Sequence, residues 1–328
     1  SVEVWSAPAQ GLHMVAFSPD GKTIALSNTR KKKPLTPPQT NNKVRRKVIC
    51  DLHLLDAKSG KTKATLDGYT GECKSLDFSS SGKMLAVASW RDPEISLWNA
   101  TTGSLISTLD AHKEGIAALH FSKDENTLVS VGYDCTLKIW DCRQKKTVTT
   151  YKLPGPGSHV VNSSDGKLIA FVFDKAFDSS DGSILRVIDR AKMATVMELP
   201  LSWGSVAGSI SFTPDTKQIL LFDGYEEVDF YDVFTGERIS TLKPNEKGPI
   251  ETFAVSSTGH CLAYSHSHDR LSTVTMWDMQ RKKELGTIVT STVLCAITFS
   301  PTGKRLVTVG SKSVQMWEVE PHLTPEQR

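Results

Sequence analysis

Phe17-Ser-Pro-Asp-Gly21, Phe78-Ser-Ser-Ser-Gly82, Phe121-Ser-Lys-Asp-Glu-Asn126, Val161-Asn-Ser-Ser-Asp-Gly166, Phe212-Thr-Pro-Asp-Thr216, Val255-Ser-Ser-Thr-Gly259 and Phe299-Ser-Pro-Thr-Gly303 are seven versions of one phrase. Each is an aromatic or β-branched residue followed by turn-forming punctuation. They lie 61, 43, 40, 51, 43 and 44 residues apart. Working outward, each leads into an apolar run such as Thr23–Leu26 or Leu168–Phe173, then into a large apolar residue followed by a polar one. Those pairs are Leu55-Asp56, Trp98-Asn99, Trp140-Asp141, Ile188-Asp189, Tyr231-Asp232, Trp277-Asp278 and Trp317-Glu318, at separations of 43, 42, 48, 43, 46 and 40. Two independent markers therefore keep one register. Turn formers between short β-rich runs predict hairpins, and the recurring period predicts an array of repeats, where 328 residues would otherwise suggest two domains.

The pattern resembles the WD-repeat (Trp-Asp) family of β-propellers over nearly the whole chain. Leu137-Lys-Ile-Trp140-Asp141 and Val274-Thr-Met-Trp277-Asp278 match that family's third strand closely. The resemblance implies an all-β, seven-bladed propeller of four-stranded antiparallel blades, strands a to d, with the Trp-Asp strand as c. It also implies a structural tetrad in the third repeat, His112, Ser130, Asp134 and Trp140. Other repeats depart from it: Gly68-Tyr69 stands for Gly-His, and Ile188 and Leu55 stand for Trp. Burial alone can hold such blades.

Closure tests the blade count. After Trp317-Glu318 only Val319–Arg328 remains, interrupted by Pro321 and Pro325, and it supplies no strand d. Val2-Glu3-Val4-Trp5 alternates like a strand and belongs to no blade of its own, so the N-terminal strand is expected to complete the last blade. The propeller is read as residues 1–319, with a tail at 320–328. Insertions mark the top face, where the b–c and d–a connections emerge. The largest, residues 29–47 in blade 1, holds three prolines and the basic residues Arg30, Lys31, Lys32, Lys33, Lys43, Arg45, Arg46 and Lys47. Nine basic residues and no acid fall between Lys22 and Lys47, whereas the whole chain is only +3. That loop is read as a bipartite nuclear-import signal, a phosphate-binding arm, or a solvated loop. Acidic insertions at Asp174–Gly182 and at Asp223, Glu226 and Glu227 are expected roughly opposite it.

Composition excludes several classes. An apolar share ordinary for globular chains rules out intrinsic disorder, and no stretch approaches the roughly 20 apolar residues of a spanning helix. Numbering opens without a basic and apolar leader. Six cysteines without a C-x-x-C pair disfavour zinc and a disulfide framework, favouring cytosol or nucleus. Gly21–Thr23 and Gly60–Thr62 lack the upstream glycine of a phosphate loop, Gly155-Pro-Gly157 lacks a third glycine, and no hydrolase elbow or zinc-protease helix is present. His112, Ser130 and Asp134 have the residue types of a hydrolase triad, but the resemblance places them in a buried structural network. His266-Ser-His268-Asp269 lacks a third metal ligand, and Asp178–Gly182 lacks the spacing of a calcium loop. Two glycosylation sequons, at Asn99 and Asn162, are discounted. No catalytic residue, metal or cofactor is expected.

Aromatic residues carry the functional reading. Trp98, Trp140, Trp277 and Trp317 belong to strand c and are read as core. Trp90, Tyr133, Trp203 and Tyr225 fall instead in top-face connections, where exposed aromatics are favoured interface anchors. With Arg91 and His268 they form the candidate partner-binding set. The expectation is a non-catalytic scaffold that binds a peptide or protein on its top face within a multiprotein complex, with no small-molecule substrate and no membrane partner. The alternative is a nucleic-acid-associated propeller that uses the basic loop.

Overall fold

The seven phrases are local hydrogen-bonding devices before they are anything else. The Ser or Thr of each phrase is buried, and in every blade but the third its hydroxyl accepts the amide of the residue five positions on: Thr23 to Ser18 at 2.9 Å, Met84 to Ser79 at 3.1 Å, Leu168 to Ser163 at 2.9 Å. The same bond recurs from Gln218 to Thr213, Cys261 to Ser256 and Arg305 to Ser300. In blade 3 the Thr127 amide goes to Asp124 instead. Such a side chain closes a turn that the backbone alone would leave underbonded. The turn needs one left-handed residue. Gly21, Gly82, Gly166, Gly259 and Gly303 take it with φ of 68–72°, while Glu125 and Thr216 are held there at 64° and 62°, at a cost of about 1–2 kcal/mol each. The second marker works similarly. Asn99, Asp189, Asp232 and Asp278 each accept two backbone amides from the next three residues, which turns strand c into strand d.

A computed structural model describes residues 2–8, 12–31, 48–67, 69, 71–176, 182–201, 209–222, 227–244, 250–268 and 271–319. These form twenty-eight strands in seven four-stranded antiparallel sheets and no helix. Six blades are consecutive runs: β2 (Leu12–Phe17) to β5 (Thr62–Thr65), β6 (Cys73–Phe78) to β9 (Leu105–Asp110), β10 (Ile116–Phe121) to β13 (Lys146–Lys152), β14 (Gly157–Asn162) to β17 (Ala194–Leu201), β18 (Ser209–Phe212) to β21 (Arg238–Leu242) and β22 (Ile250–Val255) to β25 (Lys283–Thr290). The seventh combines β26 (Leu294–Phe299), β27 (Arg305–Gly310) and β28 (Ser313–Glu318) with β1 (Val2–Pro8), whose register runs from Val2 opposite Glu318 to Pro8 opposite Ser313. The expected seven blades and N-terminal closure are both found. Closure by β1 gives the last blade its fourth strand, so that all seven sheets are complete.

Core formation follows from stacking these sheets. One apolar cluster fills each gap between neighbouring blades. Blades 7 and 1, for example, bury Ile24, Leu26, Leu55, Val307, Val309, Val314 and Met316, with Trp5 packed on them. The b strands are covered on both faces, which explains their unbroken small apolar runs such as Leu85-Ala-Val-Ala88. Outer d strands instead alternate toward solvent, as in β13.

One boundary differs from the sequence reading. Thr29, Arg30 and Lys31 belong to β3 (Thr23–Lys31), paired with Cys50, Ile49 and Val48 of β4 (Val48–Asp56). Charge and the nearby prolines argued for a loop, but two β-branched residues on the partner strand extend the hairpin. Lys32, Lys33, Lys43, Arg45, Arg46 and Lys47 lie outside the described residues.

Candidate functional site on the top face

Blade 3 carries a continuous polar chain. His112 Nδ1 lies 2.8 Å from Asp134 Oδ1, His112 Nε2 lies 2.8 Å from Ser130 Oγ, and Trp140 Nε1 donates to Ser130 Oγ at 2.9 Å. With the proton on Nδ1, every polar atom in the chain is used: Asp134 accepts from His112, and Ser130 donates to the imidazole while accepting from the indole. Thr136 and the Lys113 amide also donate to Asp134. Burial pulls the His112 pKa below its ordinary value despite Asp134, keeping the ring neutral. The Ser-His-Asp order is that of a hydrolase, but Ser130 has 0% and His112 3% of its surface exposed. No substrate reaches that hydroxyl, so its hydrogen bonds join strand, turn and connection.

Beside this chain the top surface opens into a slot of about 440 Å³ lined by Trp90, Glu114, Gly115, Tyr133 and Pro156. Trp90 comes from the b–c connection of blade 2 and Tyr133 from that of blade 3. Glu114, Gly115 and Pro156 come from the connections that enter blades 3 and 4. Trp90 is 43% exposed yet fixed. Its Nε1 donates to Glu72 Oε2, and the Arg91 guanidinium stacks 4.3 Å from the ring centre while pairing with the same carboxylate at 3.4 Å. An exposed aromatic held this way loses little freedom on binding a partner. Gly115 lets the connection into blade 3 press against the Trp90 backbone: a β-carbon there would sit 1.7 Å from the Trp90 carbonyl oxygen, so no other residue fits.

The central channel forms a second feature, about 830 Å³, lined by the a strand of every blade. Near the top of these strands the ladder slips by one residue, between Cys73 and Ser75, Ile116 and Ala118, Gly157 and His159, Ile250 and Thr252, and Leu294 and Ala296. Each bulge places an extra residue at the channel: Lys74, Ala117, Ser158, Glu251 and Cys295. His159 lies just below. Burial, reinforced by the Lys74 charge, pushes its pKa down to about 4. A histidine depressed in the fold favours the unfolded chain once protonated, so its contribution is complete above about pH 6.5 and is lost as pH falls toward 4. Solvent in the open channel screens part of the effect, leaving about 1–2 kcal/mol. The melting temperature of the wild type should therefore fall more steeply between pH 6.5 and 4 than that of His159→Gln. Parallel curves would refute this assignment.

Of the residues singled out from sequence, Trp90, Arg91 and Tyr133 come together around the slot. Tyr133 is only half-buried, its amide bonded to Gly115 O at 2.9 Å. Trp203 and Tyr225 lie outside the described residues, as do the tips of both acidic insertions. His268 ends β23 (Cys261–His268), and its side chain is outside the description. Arg30 and Lys31 are placed as strand backbone only. Sequence reasoning missed Glu72, Glu114, Gly115 and Pro156. Among the described residues, no three His, Cys, Asp or Glu side chains converge to hold a metal.

Fold and repeat markers together are similar to those of the WD-repeat β-propellers. Three segments, 60–99, 103–141 and 282–318, match the model of the WD domain, G-beta repeat. Each match begins near the d strand of one blade and ends with strand c of the next, so successive repeats interlock the ring. Relatives include Periodic tryptophan protein 2 of Arabidopsis thaliana, 29% identical over 62% of this chain and 20% of that protein. WD repeat-containing protein 18 of Homo sapiens is 26% identical over 59% and 48% respectively. Eukaryotic translation initiation factor 3 subunit I of Candida albicans is 24% identical over 54% and 53%. The chain thus spans between a fifth and about half of these relatives' lengths. A solved structure, Kuenenia stuttgartiensis Hydrazine Synthase, superposes with a TM-score of 0.76 over 95% of this chain and 96% of that one at 16% identity. That likeness is one of fold. Among the described residues, no helix is long and apolar enough to cross a membrane.

Proposed function

We propose that this propeller is a non-catalytic scaffold that holds a protein or peptide partner on its top face, in the cytoplasm or nucleus. The observation that carries the reading is the fixed, exposed Trp90 at the edge of a slot shared with Tyr133 and Pro156. Rigid aromatics beside a pocket are the usual high-energy elements of an interface. A relative named as a subunit of a translation initiation factor supports assembly into a multiprotein complex. The Ser-His-Asp grouping of blade 3 is buried and spent on structure, which supports binding without chemistry.

A tagged chain purified from its native cells, with bound proteins quantified by mass spectrometry, tests this. Trp90→Ala combined with Tyr133→Ala should reduce the specific partner at least tenfold. Phe234→Ala, which removes a still more exposed aromatic from the opposite face, should not. Equal retention by all three chains would overturn the reading. The density of basic residues between 30 and 47 favours one second reading, nucleic-acid association. It requires binding that falls steeply with salt and vanishes when those residues are neutralised.

A further inference from the structure

Charge around the slot is uneven, and that unevenness bears on what enters it. Glu114 lines the slot. Asp134 and Asp174 stand near Tyr133 and Cys135, and together with Glu114 they push the Cys135 thiol upward after burial has done so. Asp174 likewise raises the Tyr133 hydroxyl, again after burial. Arg91, next to the lining residue Trp90, is already stacked on that ring and paired with Glu72. Lys113 and Lys175 are exposed and flank the site in sequence. The lining thus offers two aromatic rings, a proline, a glycine and a carboxylate, in a volume ample for one long side chain.

Physical chemistry selects among occupants. An acidic side chain placed here would meet Glu114 and be repelled. A neutral apolar side chain would gain contact with the rings but would leave Glu114 partly desolvated without a counter-charge. A lysine or arginine satisfies both: its alkyl stem lies along the rings and Pro156, its head meets Glu114, and the aromatic faces add a cation–π attraction. The Arg91 guanidinium on the Trp90 ring shows that this indole already accepts such a head group.

We propose that the slot between blades 2 and 3 is the pocket for a lysine or arginine side chain of a peptide partner. The inference rests on the top-face reading above and specifies the chemistry of the residue it captures. The test is peptide display: random dodecapeptides selected on the intact chain, with the recovered peptides synthesised and measured by fluorescence anisotropy. Recovered binders should share one Lys or Arg whose replacement by norleucine weakens binding at least fivefold. Glu114→Gln should weaken the same peptides three- to tenfold and flatten their salt dependence, while Phe234→Ala leaves them unchanged. Trp90→Ala should abolish binding at a melting temperature within a few degrees of wild type.

Binders that depend on Trp90 but are anchored by proline, an acidic residue or a neutral apolar residue would overturn the basic-side-chain pocket and leave the top-face reading standing. Indifference of a basic binder to Glu114→Gln would also overturn the pocket. Binders indifferent to Trp90, or no binders at all, count against both.

Discussion

Excising Val2–Pro8 is expected to lower the melting temperature by about 10 °C or more and to broaden the transition, because the ring then ends on an open blade. β1 pairs with β28 from Val2 opposite Glu318 to Pro8 opposite Ser313. Its loss turns the Trp-bearing strand of blade 7 into an unprotected edge. The contact is more than a ladder. Trp5 Nε1 donates to Ala57 O at 3.1 Å across the junction with blade 1, and the Trp5 ring lies so close to Gly60 that a β-carbon there would approach it to 2.7 Å. Trp5 therefore seals the last blade to the first, over the cluster containing Val314 and Met316. Each buried backbone group left unpaired costs about 1–3 kcal/mol, and several such losses approach the roughly 5–15 kcal/mol of a whole domain. A milder probe separates seal from strand: Trp5→Ala keeps the ladder and should lose about 2 kcal/mol. Addition of the free Val2–Pro8 peptide to the excised chain should restore part of the loss. A truncated protein that melts as high and as sharply as the intact one would refute closure through β1.

The fold was legible because its signals are local. Ser18 bonding the Thr23 amide, or Asp278 bonding the amides of Gln280 and Arg281, involves residues within five positions of one another, so the requirement is written as a short phrase. Closure was legible by counting, since six complete blades and three strands leave one place for Val2–Trp5. The slot was not legible in this way. Its residues come from four connections spread between Trp90 and Pro156, and what joins them is the spacing of adjacent blades. Glu72 gives no hint in sequence that it fixes Trp90 eighteen residues later. The channel ring was hidden too, because Lys74 and Glu251 reach the channel only through a one-residue slip in the ladder, a property of strand pairing that alternation alone places on the wrong face. Departures from the family pattern were visible, but their remedies were not: Trp98, for instance, donates to Ser96 of its own strand instead of to strand b.

The tetrad in blade 3 supplies the second large effect. His112→Ala should destabilise the protein by about 3 kcal/mol, because it orphans two partners at once. Ser130, fully buried, loses the acceptor for its proton, and Asp134 loses one of its two side-chain donors, keeping Thr136. The void beside Gly132, whose α-carbon faces the ring so closely that a β-carbon would meet Nδ1 at 2.5 Å, adds a cavity term. Urea denaturation should show a lower midpoint with an unchanged slope, as befits a loss of stability without a change in the surface exposed. A cycle with Trp140→Phe tests whether the chain acts as a unit: the double variant should lose less than the sum of the singles, since the indole already depends on the hydroxyl that His112 orients. Acid reinforces the argument. His112 is held below its ordinary pKa by burial, so its contribution is complete above about pH 6.5 and falls as pH drops toward the depressed value in the fold. The stability gap between wild type and His112→Ala should narrow over that range. Partner binding at low temperature should survive the substitution. A His112→Ala protein that keeps its full stability but loses a hydrolytic or ligand-binding activity would reassign this constellation from scaffold to site.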